Sequence, residues 1–263
     1  MSEPPERTSP PPPLPVRLIG KALTRVVARA PWTWPVMRRP VRGFFDRLAG
    51  GWDERVRPDA PEHLAALAAA VARLEAPPAT ALDLGTGTGA GALWLARQFP
   101  LAHVTGVDIS EAMIERARAK LPAELSGRVD FLVGDAERLP FPDDSFDLVA
   151  QISVPVFFDE VARVLAPDGY AVVVSSLGLK TPFHTPARTL RNGFRPEQQR
   201  DPFRRRLLLT QWKQAPRPAF RADRVRAGSS SRCAAKRESR CRSLPQHPRA
   251  CRRPAAGAPA RWG

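Results

Sequence analysis

Asp83-Leu84-Gly85-Thr86-Gly87-Thr88-Gly89 sets one carboxylate at the end of a short apolar run, directly before a loop with glycine at every second position. Glycines there permit a tight turn and let backbone N–H groups approach a ligand at the N-terminus of the next helix. Taken alone the run is ambiguous, because Gly85, Gly87 and Ala90 also fit the G-x-G-x-x-A of dinucleotide-binding domains. Asp83 separates the two readings. A carboxylate at the mouth of the strand repels a pyrophosphate, yet it suits a ligand carrying an ammonium and a sulfonium, as S-adenosylmethionine does. Asp108 follows Gly85 by 23 residues and ends the next apolar run, where an acid can accept hydrogen bonds from ribose hydroxyls. The blander role for Asp108 is a negative charge at a helix N-terminus.

The elements that must position these residues alternate. Residues 81–84, 103–107, 129–133, 146–151 and 170–175 read as strands, with Pro167-Asp168-Gly169 turning the chain into the last of them. Leu64, Leu67, Val71 and Leu74 recur at helical spacing; 90–99 and 157–165 read as helices. Ser110 is placed to N-cap a helix whose Met113, Ile114, Ala117 and Leu121 share a face. This rhythm implies a Rossmann-like, doubly wound α/β fold with a mostly parallel sheet whose strand order reverses at the first strand.

The ends differ from this body. Residues 1–180 carry 20 basic and 22 acidic side chains, whereas residues 181–263 carry 21 and 4, so the net charge of +15 lies wholly in the last third. All three cysteines (Cys233, Cys241, Cys251) lie there too, which leaves the body without a disulfide framework or a cysteine nucleophile. Residues 211–263 hold only Val225 and Leu244 of the Val, Ile, Leu or Met type, too few to offset the entropy of ordering, and are expected to be disordered. At the other end, residues 1–13 are proline-rich. Residues 14–30 make a basic amphipathic helix that either docks on the domain or lies on an anionic membrane surface. Pro31, Pro35 and Pro40 are expected to break whatever follows. The expected divisions are 1–43, a body at 44–195 and a basic tail at 196–263. No run approaches the ~20 apolar residues of a membrane span, and no signal-peptide core is visible, so a cytoplasmic location is expected.

Residues 129–151, VDFLVGDAERLPFPDDSFDLVAQ, carry the most specific pattern. With LDLGTGTG, GVDIS and ARVLAPDG in the same order and spacing, this stretch resembles the class I S-adenosylmethionine-dependent methyltransferases. Within them it is similar to the branch of ubiquinone and menaquinone C-methyltransferases, over roughly residues 44–190. The resemblance implies that Asp83 faces the methionine end of the cofactor and that Gly85, Thr86, Gly87 and Gly89 form the loop beside it. It implies that Asp108 holds the ribose, Ile109 packs on the adenine, and Asp135 and Ala136 approach the adenine edge. Gln151 would lie near the methyl group and the acceptor. Phe44, Phe45, Trp52 and Asp53 would belong to a helix and turn closing over the cofactor. The family's sheet has seven strands, the last two an antiparallel hairpin; here only 206–210 has strand character beyond residue 194, so those two strands are expected to be missing. The Arg-rich composition of the tail is also what a GC-rich gene read out of frame gives.

Other residues carry less. Leu139, Phe141 and Phe146 read as core, and Asp143-Asp144 as a solvated turn. The four histidines (63, 103, 184 and 247) lack metal spacing. His184 lies after the fifth strand, where an acceptor pocket belongs, and is a weak candidate general base. Methyl transfer needs little more than alignment, because the sulfonium already activates the methyl. The expected activity is therefore methyl transfer to a small, apolar or aromatic acceptor. The alternatives are a nucleic-acid methyltransferase or binder using the basic tail, which would bind only by counterion release, and a truncated, inactive family member.

Overall fold

Strand β1 (Thr80–Leu84) is buried along almost its whole length, and its two faces feed two separate apolar layers. The computed structural model describes residues 13–176, 181–193 and 206–211, all within one compact unit, Met1–Pro218. Expectations for the proline-rich start, for the tail beyond residue 211 and for its cysteines lie outside the described residues; residues 206–211 of the expected tail are described, as a strand.

The sheet has the order β3-β2-β1-β4-β5-β6, every pairing parallel: β2 is His103–Asp108, β3 Val129–Val133, β4 Phe146–Ile152, β5 Leu165–Ser175 and β6 Arg206–Gln211. The order reverses between β1 and β4, opening the crevice at the strands' carboxyl ends where such sheets bind ligands. On one face, Ala81, Val104, Leu148, Ala150 and Val172 pack against helices α4 (Pro61–Val71), α5 (Ala90–Gln98) and α6 (Glu111–Ala119). On the other, Leu82, Leu84, Val149 and Val173 meet α7 (Phe158–Val164) and Leu190 of α8 (Ala187–Gly193). Strands buried on both faces need near-continuous apolar runs, which is what these segments contain.

Three expectations need correction. Among the described residues the sheet has six strands, not five, since residues 206–211 pair in parallel along β5, the edge where an antiparallel hairpin was expected to be missing. The Pro167-Asp168-Gly169 turn lies inside β5 as an irregularity, with Asp168 at φ 60° and the register shifting between Phe146 and Leu148. The prolines after residue 30 do not break the chain: α1 (Leu14–Arg29) is followed by a 3-10 turn at Pro31–Thr33 and then by α2 (Trp34–Ala49), with Pro40 inside it. Pro35 sits in the first turn, where a missing N–H costs nothing. The carbonyl that Pro40 leaves free belongs to Val36, whose side chain is 81% exposed, on the side of the helix open to water. Helix α2 thus runs through the boundary expected at 43/44. No helix among the described residues is long and apolar enough to cross a membrane.

Candidate functional site

The carboxyl end of β1 carries Asp83, buried under the first turn of α5. Its Oδ2 accepts a 2.7 Å hydrogen bond from Thr86 Oγ1, and the Ala92 N–H donates to the same carboxylate. Burial nevertheless pushes its carboxyl up to about 6, with the nearby Asp108 charge adding to the rise. The helix can come this close because residue 91 is glycine: a Cβ there would lie 2.6 Å from Asp83 Oδ2.

The loop after β1 turns on residues in the left-handed region. Gly85 has φ 76° and would press a Cβ to within 2.3 Å of Val154 Cγ1. Gly87 has φ 55°, and its N–H donates 2.9 Å to Asp108 Oδ2 at the end of β2. Asp108 Oδ1 accepts from the Ser110 N–H, also at 2.9 Å. Burial raises the Asp108 carboxyl, opposed by these two backbone donors. Ser110 N-caps α6, as its sequence position suggests: Oγ accepts from Met113 N at 3.2 Å and donates to Asp46 Oδ1 of α2 at 2.6 Å.

Helix α3 (Trp52–Val56) closes over this loop. Asp53 Oδ1 accepts from Thr88 Oγ1 at 2.5 Å, and Lys120 Nζ reaches the same carboxylate at 3.0 Å. The Trp52 indole nitrogen lies 3.8 Å from where a Gly87 Cβ would stand. Phe45 stacks edge-on with Phe44 and Trp52 and lies 5.8 Å, centroid to centroid, from Phe183. An apolar cluster therefore adjoins the loop at the crevice.

Gln151, near the end of β4 and paired in register with Leu84, is 1% exposed, and neither atom of its amide finds a partner among the described residues. An unpartnered buried amide costs free energy unless a ligand or water completes it. At the neighbouring strand end, Ser175 Oγ lies 3.1 Å from His184 Nδ1 and Ser153 Oγ 2.9 Å from Ser176 Oγ. His184 thus has the partner that the sequence did not reveal. Burial, and then the Lys21 charge on α1, lower its pKa.

Asp135 and Ala136 follow β3, and there the surroundings differ from expectation. Asp135 Oδ1 accepts from Trp34 Nε1 at 2.7 Å and from the Glu137 N–H at 3.0 Å, while Arg38 Nη1 stands 3.5 Å from Oδ2. Ile109 and Ala136 pack against the cluster containing that indole. Asp83, the glycine loop, Asp108 and Gln151 thus gather at one crevice and suit a nucleoside carrying a cationic tail. Asp135 is already engaged. Sequence reasoning missed Trp34 and Asp46; the one available signal was a Pro-Trp-Thr-Trp-Pro run, rich in aromatics, leading into a helix with no acid in its first turn. Among the described residues no three His, Cys, Asp or Glu side chains gather as a metal site.

Residues 81–169 match a family model described as a methyltransferase domain. The chain is 42% identical over 96 residues to a fatty-acid O-methyltransferase of Mycolicibacterium smegmatis, covering 34% of each chain. It is 39% identical over 141 residues to a malonyl-[acyl-carrier protein] O-methyltransferase of Geobacter sulfurreducens, covering 50% of this chain and 51% of that one. The chain thus spans between a third and a half of the length of these relatives. Among solved structures it is similar to the YcgJ protein of Bacillus subtilis, with 36% identity over 41% of this chain and 47% of that one and a TM-score of 0.34.

Proposed function

We propose that residues 81–169, which match a methyltransferase-domain family model, act as a class I S-adenosylmethionine-dependent methyltransferase that transfers the methyl group to an oxygen of a small acceptor with an apolar body. The observation that carries the reading is the convergence of Asp83, the left-handed glycine loop and Asp108 on one crevice, with the unpartnered Gln151 amide beside them. Oxygen as acceptor is supported by the O-methyltransferase names of the relatives, and an apolar body by the Phe44, Phe45, Trp52 and Phe183 cluster.

S-adenosylmethionine, when bound, supplies a methyl already activated by its sulfonium; the protein's task is alignment and charge balance. Asp83, once ionised, balances a cationic tail. Asp108 offers its remaining lone pairs to vicinal hydroxyls while its backbone donors keep it in place. Gly85, Thr86, Gly87 and Gly89 let the backbone come close, and the Gln151 amide meets a polar group at the crevice floor. His184 serves an acidic acceptor when Nδ1–H donates to Ser175, which leaves Nε2 free to hold a proton. Its lowered pKa keeps the ring neutral and competent near pH 7.

Calorimetry with S-adenosylmethionine tests the reading. Asp108→Ala should weaken binding roughly 10–100-fold, the loss of charge-assisted hydrogen bonds of about 1.5–3 kcal/mol. Binding of NAD but not S-adenosylmethionine would refute it. A peripheral contact between α1 and an anionic membrane, from which an apolar acceptor could be drawn, belongs to the same proposal. It is supported by the outward Leu14, Leu18 and Ile19 among basic residues.

A further inference from the structure

We propose that Trp34 occupies the nucleobase subsite of this chain, so that the start of α2 holds the cofactor site shut until the indole is displaced. The inference rests on the proposed function above and on the contact of Ile109, Asp135 and Ala136 with the adenine that the family resemblance implies. It adds that the chain carries its own competitor for those three residues.

Trp34 is 4% exposed although it begins a helix in a strongly basic segment. Its ring packs on Val27 and edge-on against Phe157, with centroids 5.1 Å apart, and Ile109 and Ala136 lie against the same cluster. Its Nε1–H donates to Asp135 Oδ1 at 2.7 Å. A flat aromatic ring with an N–H directed at a carboxylate is what an adenine with its exocyclic amine would also present. The two compete for one place. Asp135 Oδ1 already accepts from both Trp34 and the Glu137 N–H, and Ile109 and Ala136 pack against the cluster that holds the indole.

The surrounding backbone suits a local displacement. Trp34 follows the Pro31–Thr33 turn, where the chain breaks out of α1 at Ala30, φ −140° and ψ 62°. The far end of α2 is fastened independently, through Asp46 to Ser110 and Arg42 to Glu111 at 3.0 Å. Opening the first turn of α2 therefore frees the indole without releasing the helix from α6. Apparent affinity for a ligand falls by the fraction of molecules in which its subsite is open, so the side chain at residue 34 sets how tightly the cofactor is held.

Calorimetric titration of the full chain with S-adenosylmethionine and with adenosine, on wild type, Trp34→Ala and Trp34→Phe, tests this. Trp34→Ala should bind both about tenfold or more tightly than wild type. Trp34→Phe should fall between them, since the ring stays but the N–H is gone. Adding adenosine to wild type should shift tryptophan emission to the red as the indole enters water, and Trp34→Phe should lack that shift. Equal or weaker binding by Trp34→Ala, with wild type binding normally, overturns the proposal and leaves the cofactor assignment standing. Failure of all three chains to bind overturns both. Should thermal unfolding show that Trp34→Ala does not fold, the comparison of Trp34→Phe with wild type decides: tighter supports, equal or weaker refutes.

Discussion

Thr86 Oγ1 donates a 2.7 Å hydrogen bond to Asp83 Oδ2 across the first turn of the glycine loop. Even with that bond and the Ala92 N–H opposing it, burial, helped by the Asp108 charge, pushes the Asp83 carboxyl from 3.8 up to about 6.

The rise has a definite sign for stability. The folded chain holds the Asp83 proton more tightly than the unfolded chain does. Its contribution is therefore most favourable below pH 3.8 and is lost as pH climbs from about 4 to about 6. At about 1.4 kcal/mol per unit, the loss is on the order of 3 kcal/mol. Asp83→Asn should abolish this decline, so that urea midpoints at pH 4.5 and 7.5 differ less for the variant than for wild type. Parallel pH profiles would show that Asp83 is not the group responsible. The same substitution should weaken S-adenosylmethionine binding at pH 7.5 at least about tenfold, because a neutral amide cannot balance a cation. In wild type, affinity should drop as pH falls through about 6.

Gly85 and Gly87 test the loop in different ways. Both have positive φ, but only at Gly85 would an added Cβ strike a neighbour, Val154 Cγ1 at 2.3 Å; at Gly87 the nearest atom is 3.8 Å away. Gly87→Ala should therefore cost only the backbone strain, about 1–2 kcal/mol. Gly85→Ala should cost about 2–4 kcal/mol, strain and overpacking together. Adding Val154→Ala to Gly85→Ala should recover the steric part alone. Equal destabilisation by the two single variants, measured by denaturant unfolding, would mean that Val154 moves aside freely.

The sheet and the crevice at its carboxyl edge were legible because each depends on local chemistry: apolar runs ending in Asp83 and Asp108, glycines where φ is positive, and Ser110 capping the helix it precedes. What was hidden depends on distant partners. Asp135 was readable as a carboxylate after β3, but its engagement by Trp34, 101 residues away, has no local signature. Ser175 and His184 are nine residues apart on different segments and meet only through the fold. Pro40 suggested a break because its cost is paid locally, whereas the tethers from Arg42 and Asp46 to α6 that favour the helix are tertiary. Leu207, Leu208 and Leu209 showed strand character but not the parallel pairing with β5.

Helix α1 turns two different faces outward and inward, and this leads to a prediction about membranes. Gly20, Thr24 and Val27 are buried, while Leu14, Leu18 and Ile19 are 60, 59 and 69% exposed, and Trp32 and Val36 continue the exposed apolar surface past the helix. No acidic residue occurs between Leu14 and Phe45, where seven basic ones do. Apolar side chains interleaved with cations suit the headgroup region of an anionic bilayer. The chain should therefore sediment with phosphatidylglycerol vesicles and not with phosphatidylcholine vesicles. Residues 181–263 carry a net +17 and would also attract anionic lipid, so wild type alone does not distinguish the two causes. The double substitution Leu18→Glu and Ile19→Glu does, since it removes apolar contact from the α1 face and leaves the far end of the chain untouched. Binding in 0.5 M salt, where the Debye length is shorter than about 8 Å, should survive in wild type through the apolar contacts and vanish in the double variant. Equal retention of both proteins in 0.5 M salt, or loss of both, would refute a lipid-facing role for α1.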